Sequence, residues 1–148
     1  MRQFLAALFL YLLFLIQAGL APFGPDLILL ALFVFALHEN KLLITILAFL
    51  AGLCLDLTAP QTIGINILIY SGLAYGIASL HSIIYRGHWY LTGLVLVGLA
   101  IKYSAYALVG AGIPGLMPLI ISSVITIVLA VPADLFISRL FYHQWKTN

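Results

Sequence analysis

The sequence predicts an all-α integral membrane protein of six transmembrane helices, on three observations. First, 65% of its 148 residues are hydrophobic and only 7% charged, where a soluble domain carries roughly 25% charged residues. Second, six bases and four acids supply too little polar surface to cover the apolar mass, so lipid must be the main solvent. Third, polar and helix-breaking clusters divide the chain into apolar runs near the roughly 20 residues that a membrane-crossing helix needs. The six runs fill the chain as a single transmembrane domain, residues 1–148, with no internal repeat and no room for a globular nucleotide-binding or solvated catalytic domain.

Helix 1 is expected over residues 4–20. Arg2 and the apolar run after it imitate a signal peptide, and Gly19-Leu20-Ala21 offers small residues at a cleavage-site spacing. Pro22 would follow that cut, however, and the chain continues apolar, so an uncleaved helix is the better reading. Ala21-Pro22-Phe23-Gly24-Pro25 ends it, because proline cannot continue a helix interior.

Helix 2 is expected over 25–37, with Pro25 in its first turn and Asp26 complementing the helix dipole. His38-Glu39-Asn40-Lys41 closes it. Residues 26–37 would span only about 18 Å, against a hydrocarbon core of about 30 Å. A re-entrant hairpin would bury Glu39 and Lys41 in lipid at high cost, so two full crossings by helices 2 and 3 are preferred. Helix 3 is expected over 42–57, followed by the turn Thr58-Ala59-Pro60-Gln61-Thr62, with Thr62 as N-cap of helix 4 over 63–85. Arg86-Gly87-His88 separates this from helix 5 over 89–109, where Trp89-Tyr90 reads as an interfacial anchor. Helix 6 is expected over 116–142, with a kink at Pro132.

Bases set the orientation. With a cytoplasmic N-terminus, Arg2, Lys41, Arg86, Arg139 and Lys146 all fall on the cytoplasmic side and both termini are cytoplasmic; the sixth base, Lys102, lies within helix 5. The net charge of +2 is spread one base per loop, which gives no nucleic-acid patch.

Intramembrane charges are functional candidates by default. Lys102 and Asp56 are both placed toward the outer side. They form a polar site or ion path, or else Lys102 snorkels outward and pairs with Asp56 as a structural clasp. The clasp is favoured, since one Lys and one Asp make a thin pathway. Asp134 follows Pro132, near enough to the cytoplasmic end to meet Arg2, Arg139 or water.

No catalytic, cofactor or metal constellation emerges. His38-Glu39 begins like the zinc motif H-E-x-x-H, but Leu42 stands where the second histidine belongs. His81, His88 and His143 read as interfacial, the serines lack a G-x-S-x-G setting, and the single cysteine, Cys54, reads as a small buried hydrophobe. Gly72 and Gly76 form a G-x-x-x-G, with Ala74 and Ala78 on a neighbouring face. Small residues at this spacing let helices approach closely. Packing within the molecule is the plainer reading, a docking face for another membrane protein the sharper one. Residues 135–146 form an amphipathic tail suited to the inner headgroup layer.

One order of features carries a resemblance. Gly24-Pro25-Asp26-Leu27 opens helix 2; then come Phe49-Leu50-Ala51-Gly52-Leu53-Cys54-Leu55-Asp56-Leu57, a Pro-containing turn, and Ile63-Gly64-Ile65-Asn66-Ile67-Leu68-Ile69-Tyr70. This resembles the bacterial rod shape-determining MreD family, over about residues 22–80; Ala48 stands where that family usually has a glycine. The resemblance implies a non-catalytic scaffold in the cytoplasmic membrane, acting in the cell-elongation (rod) complex that governs cell shape and peptidoglycan synthesis. Its implied partners are an MreC-like protein and, through it, RodA, a class B penicillin-binding protein and MreB. It also implies a fold similar to the substrate-binding subunits of energy-coupling-factor transporters. Carried over, Pro25, Asp26, Gly52, Asp56 and Gly64 become the residues of interest, with Asp26 and Asp56 as helix-end acids at the outer surface and Gly52 permitting close packing. The alternative function is a vitamin-binding transport subunit. Against it, helix 1 pairs Ala6 with Leu10 and Ala7 with Tyr11 and so lacks the small A-x-x-x-A docking face such subunits typically carry.

Overall fold

The computed structural model describes residues 2–20, 24–58, 64–80, 88–110 and 115–139. These form six helices: α1 (Arg2–Leu20), α2 (Leu27–Ala36), α3 (Lys41–Thr58), α4 (Ile65–Leu80), α5 (His88–Val109) and α6 (Leu116–Ser138). Three stretches are long and apolar enough to cross a membrane: Lys41–Thr58, Tyr90–Val109 and Met117–Arg139. Phe4–Leu20, Leu27–Ala36 and Ile65–Leu80 are shorter apolar helices. The expectations placed on Pro22, Pro60 and Thr62, on residues 81–87, on the Trp89 side chain and on the tail beyond Arg139 lie outside what is described.

α2 is the centre of the molecule. Its sequence, LILLALFVFA, is apolar all round, as suits a helix enclosed on every side. Residues 28–36 are each buried, and α2 touches all five other helices. At one end its surroundings are apolar: Ile44 and Ala48 from α3, Ala74 from α4, Leu91 and Val95 from α5 and Ala130 from α6 are all buried, and Phe9 meets Phe35 edge-on with ring centres 6.2 Å apart. Its other end is polar.

Two glycines let the backbones close around this core. A Cβ on Gly52 would lie 2.6 Å from the Ile67 Cα and 2.8 Å from the Asn66 carbonyl oxygen. α3 and α4 therefore touch backbone to backbone, which is the close packing expected of Gly52. A Cβ on Gly98 would lie 2.5 Å from the Phe33 ring, so the ring fills the notch that the glycine leaves in α5.

The outer faces are apolar as well. Phe4, Leu8, Tyr11 and Leu15 on α1 and Met117, Ile120, Val124 and Val128 on α6 are exposed, as befits surfaces solvated by acyl chains. α6 continues as helix beyond Pro132, and its other proline, Pro118, stands in the first turn, where a missing N–H costs nothing.

Candidate functional site

Asp26 organises the polar end of α2. Its side chain caps the helix, accepting the Leu29 N–H at 3.1 Å. The residue is the N-cap and Pro25 precedes it, so the expected first turn at Pro25 moves on by two residues. The reason is local: a carboxylate one position outside the helix can reach a free N–H that it could not reach from within.

Four other helices converge on this residue. Gln17 of α1 donates to Oδ1 at 3.4 Å and accepts the Ile28 N–H at 3.1 Å. The Tyr70 hydroxyl of α4 donates to the carboxylate at 2.9 Å. Lys102 of α5 forms an ion pair with Oδ2 and donates to the Tyr70 oxygen at 2.8 Å. On α6, the Thr126 hydroxyl accepts the Asp26 N–H at 2.9 Å and donates to the Ser122 carbonyl at 2.7 Å. The Ser122 hydroxyl in turn donates to the Gly24 carbonyl at 2.7 Å.

These bonds solve a problem particular to membranes. Irregular backbone is tolerated at membrane depth only where protein satisfies its polar groups. The segment Gly24-Pro25-Asp26 is not helical; the Leu20 carbonyl of α1 accepts the Gly24 N–H at 2.9 Å, and side chains from α6 bond the Gly24 carbonyl and the Asp26 N–H.

A second cluster adjoins the first. Asp56, in the last turn of α3, accepts the N–H groups of Gly64 at 2.9 Å, Asn66 at 3.2 Å and Ile67 at 3.2 Å, and the Asn66 side-chain amide at 2.8 Å. It therefore caps α4 from outside that helix. Gly64 has φ of +89°, a left-handed conformation that glycine adopts without penalty. Tyr106 of α5 donates to the Asn66 side-chain oxygen, and its ring centre lies 5.8 Å from the Lys102 ammonium.

The expected clasp between Lys102 and Asp56 is thus corrected: Lys102 pairs with Asp26. Asp56 is already occupied by four donors, and Tyr106, one turn along α5 from Lys102, takes the place beside Asn66. Both acids are also enclosed by protein. Asp26 is 4% and Asp56 2% exposed: side chains of α1, α4, α5 and α6 surround Asp26, and Asp56 is held between the end of α3 and the start of α4.

The remaining candidates separate. Pro25 is buried beside Asp26. Asp134 lies two turns beyond Thr126 on α6 and accepts a hydrogen bond from Ser138 at 3.2 Å. Gly72 and Gly76 do not pack against the described residues: a Cβ on either would meet none of their atoms within 4 Å. That stripe faces outward with Leu68 and Tyr75, while Ala74 and Ala78 are buried. No three His, Cys, Asp or Glu side chains gather to hold a metal among the described residues.

Gln17, Asn66, Tyr70, Tyr106, Ser122 and Thr126 belong to the network but escaped the sequence reading. A signal was available. Asn66/Tyr70, Lys102/Tyr106 and Ser122/Thr126 are polar pairs at i, i+4 in three largely apolar helices, and that spacing puts both members on one face.

Chemically, the network is one of saturated hydrogen bonds and an ion pair. The Asp26 carboxylate meets donors from α1, α2, α4 and α5, so each oxygen is engaged, as a buried carboxylate requires. The model of one protein family, described as rod shape-determining protein MreD, matches residues 1–142. No curated protein and no solved structure gives a match.

Proposed function

The chain belongs to the rod shape-determining MreD family, and from that premise we propose that it works as a non-catalytic scaffold of the cell-elongation complex in the bacterial cytoplasmic membrane. In this reading the chain crosses the membrane six times, with both termini cytoplasmic. One of its helix faces docks on the membrane anchor of an MreC-like protein, and through that partner it bears on RodA, a class B penicillin-binding protein and MreB, and so on peptidoglycan synthesis and cell shape.

The observation that supports docking is the two-sidedness of α4. One face is held rigidly by Gly52 and Asp56 of α3. The opposite face offers Gly72 and Gly76 with open space above them, and small residues at this spacing let a second helix approach closely. The transport-subunit alternative finds no support in the family match.

Co-purification tests the reading. An MreC-like protein should be retained by the chain, and the double substitution Gly72→Leu, Gly76→Leu should abolish retention while the protein still accumulates in the membrane. Depletion of the chain should round the cells. Normal rods together with no such partner would refute the proposal.

A further inference from the structure

We infer that α2 is seated in the membrane by its tertiary partners rather than by its own hydrophobicity, and that Lys102 is the latch that completes the seating. α2 has 10 residues, about 15 Å of helix, half of what a self-sufficient span requires. It begins at a carboxylate that is 4% exposed. An ionised acid at that depth is costly until a cation meets it.

The compensating groups are distant in sequence. Tyr70 lies 44 residues after Asp26, Lys102 76 and Thr126 100. Each arrives later in synthesis than α2 itself. Before α5 is in place the carboxylate has a cap bond and neutral donors but no counter-charge. Once Lys102 enters, the carboxylate and ammonium neutralise each other, with Tyr70 bonded to both, and the irregular segment ahead of α2 is closed over by α6. Lys102 is a positioning residue on this account. Its side chain is only 11% exposed, and its ammonium is turned inward onto Asp26 and Tyr70.

The test is the labelling of a cysteine placed at Ile28, a wholly buried position in the first turn of α2, with Cys54→Ala removing the native thiol. Membranes are permeabilised so that a maleimide reaches both faces, which frees the result from any assumed orientation. With Lys102 present the cysteine should be protected. Lys102→Met should raise its labelling rate at least about tenfold, since an unpaired buried charge favours local opening. Asp26→Asn combined with Lys102→Met should restore protection, because asparagine still caps the helix and no charge remains to compensate. The same set on the native Ile28 background should show full-length protein in the membrane falling with Lys102→Met and recovering in the double variant. Equal labelling and equal amounts with and without Lys102 would overturn the inference, as would a double variant that behaves like Lys102→Met.

Discussion

Asp56 and Gly52 sit one turn apart on α3 and do opposite things at the same contact: one fills it with hydrogen bonds, the other keeps it empty. Three N–H groups at the start of α4 depend on the Asp56 carboxylate. Asp56→Ala leaves them unsatisfied in a buried setting, at a cost of about 1–3 kcal/mol for a lost buried partner. Asp56→Asn keeps one acceptor oxygen but sets an amide NH2 against two of the four donors, so it should recover only part of that loss. Gly52→Ala carries two opposed effects. Replacing a helix-interior glycine gains about 0.5–1 kcal/mol, but the new methyl would meet Ile67 and Asn66 backbone atoms at 2.6–2.8 Å. Backbone cannot step aside as a side-chain tip can, so overpacking at about 1–3 kcal/mol should win. Thermal unfolding of the purified protein in detergent checks both, and a Gly52→Ala variant as stable as the parent would show that α3 and α4 are less tightly joined than described.

α4 as an element predicts the reverse sign for the same substitution. Gly72 and Gly76 occupy the same helix type and the same apolar setting as Gly52, yet nothing lies within 4 Å of where their Cβ atoms would stand. Gly72→Ala and Gly76→Ala should therefore leave thermal stability unchanged or raise it by up to about 1 kcal/mol each, while the larger leucines together abolish partner retention. Destabilisation by either alanine would mean that the stripe packs inside the molecule after all. The contrast also marks how far the sequence is legible at this scale. Helix positions follow from composition and breakers, because apolar runs and prolines act locally. Which face of a helix turns inward does not follow when every face is apolar: α4 has leucines, isoleucines and glycines all round, and only tertiary contact separates Gly52 from Gly72. α2 shows the same limit from the other side, since its uniform apolarity fits lipid exposure and enclosure alike, and contact with five helices decides for enclosure.

For the whole molecule, the hydrogen-bond network fixes how the helices alternate. Gln17 lies near the end of α1, Asp26 at the start of α2, Asp56 near the end of α3, Asn66 at the start of α4, Tyr106 near the end of α5 and Ser122 in the first half of α6. The direct contacts Gln17–Asp26, Asp26–Lys102 and Asp56–Asn66–Tyr106 draw these ends to one side, so successive helices run up and down. The opposite side then holds the starts of α1, α3 and α5 and the end of α6, with Arg2, Lys41 and Arg139. That sorting of bases needs no assumption that α2 alone spans the bilayer, and it explains why Lys102 can sit on the wrong side of a positive-inside pattern: its charge is balanced within the protein by Asp26. In the proposed orientation the basic side faces the cytoplasm, as the positive-inside bias predicts. A green fluorescent protein fused at either terminus should fluoresce, and alkaline phosphatase fused at the same points should be inactive. An active phosphatase at both ends would invert the protein while leaving the alternation intact. An active phosphatase at one end alone would break the alternation, and with it the arrangement in which one carboxylate at the head of α2 gathers four other helices.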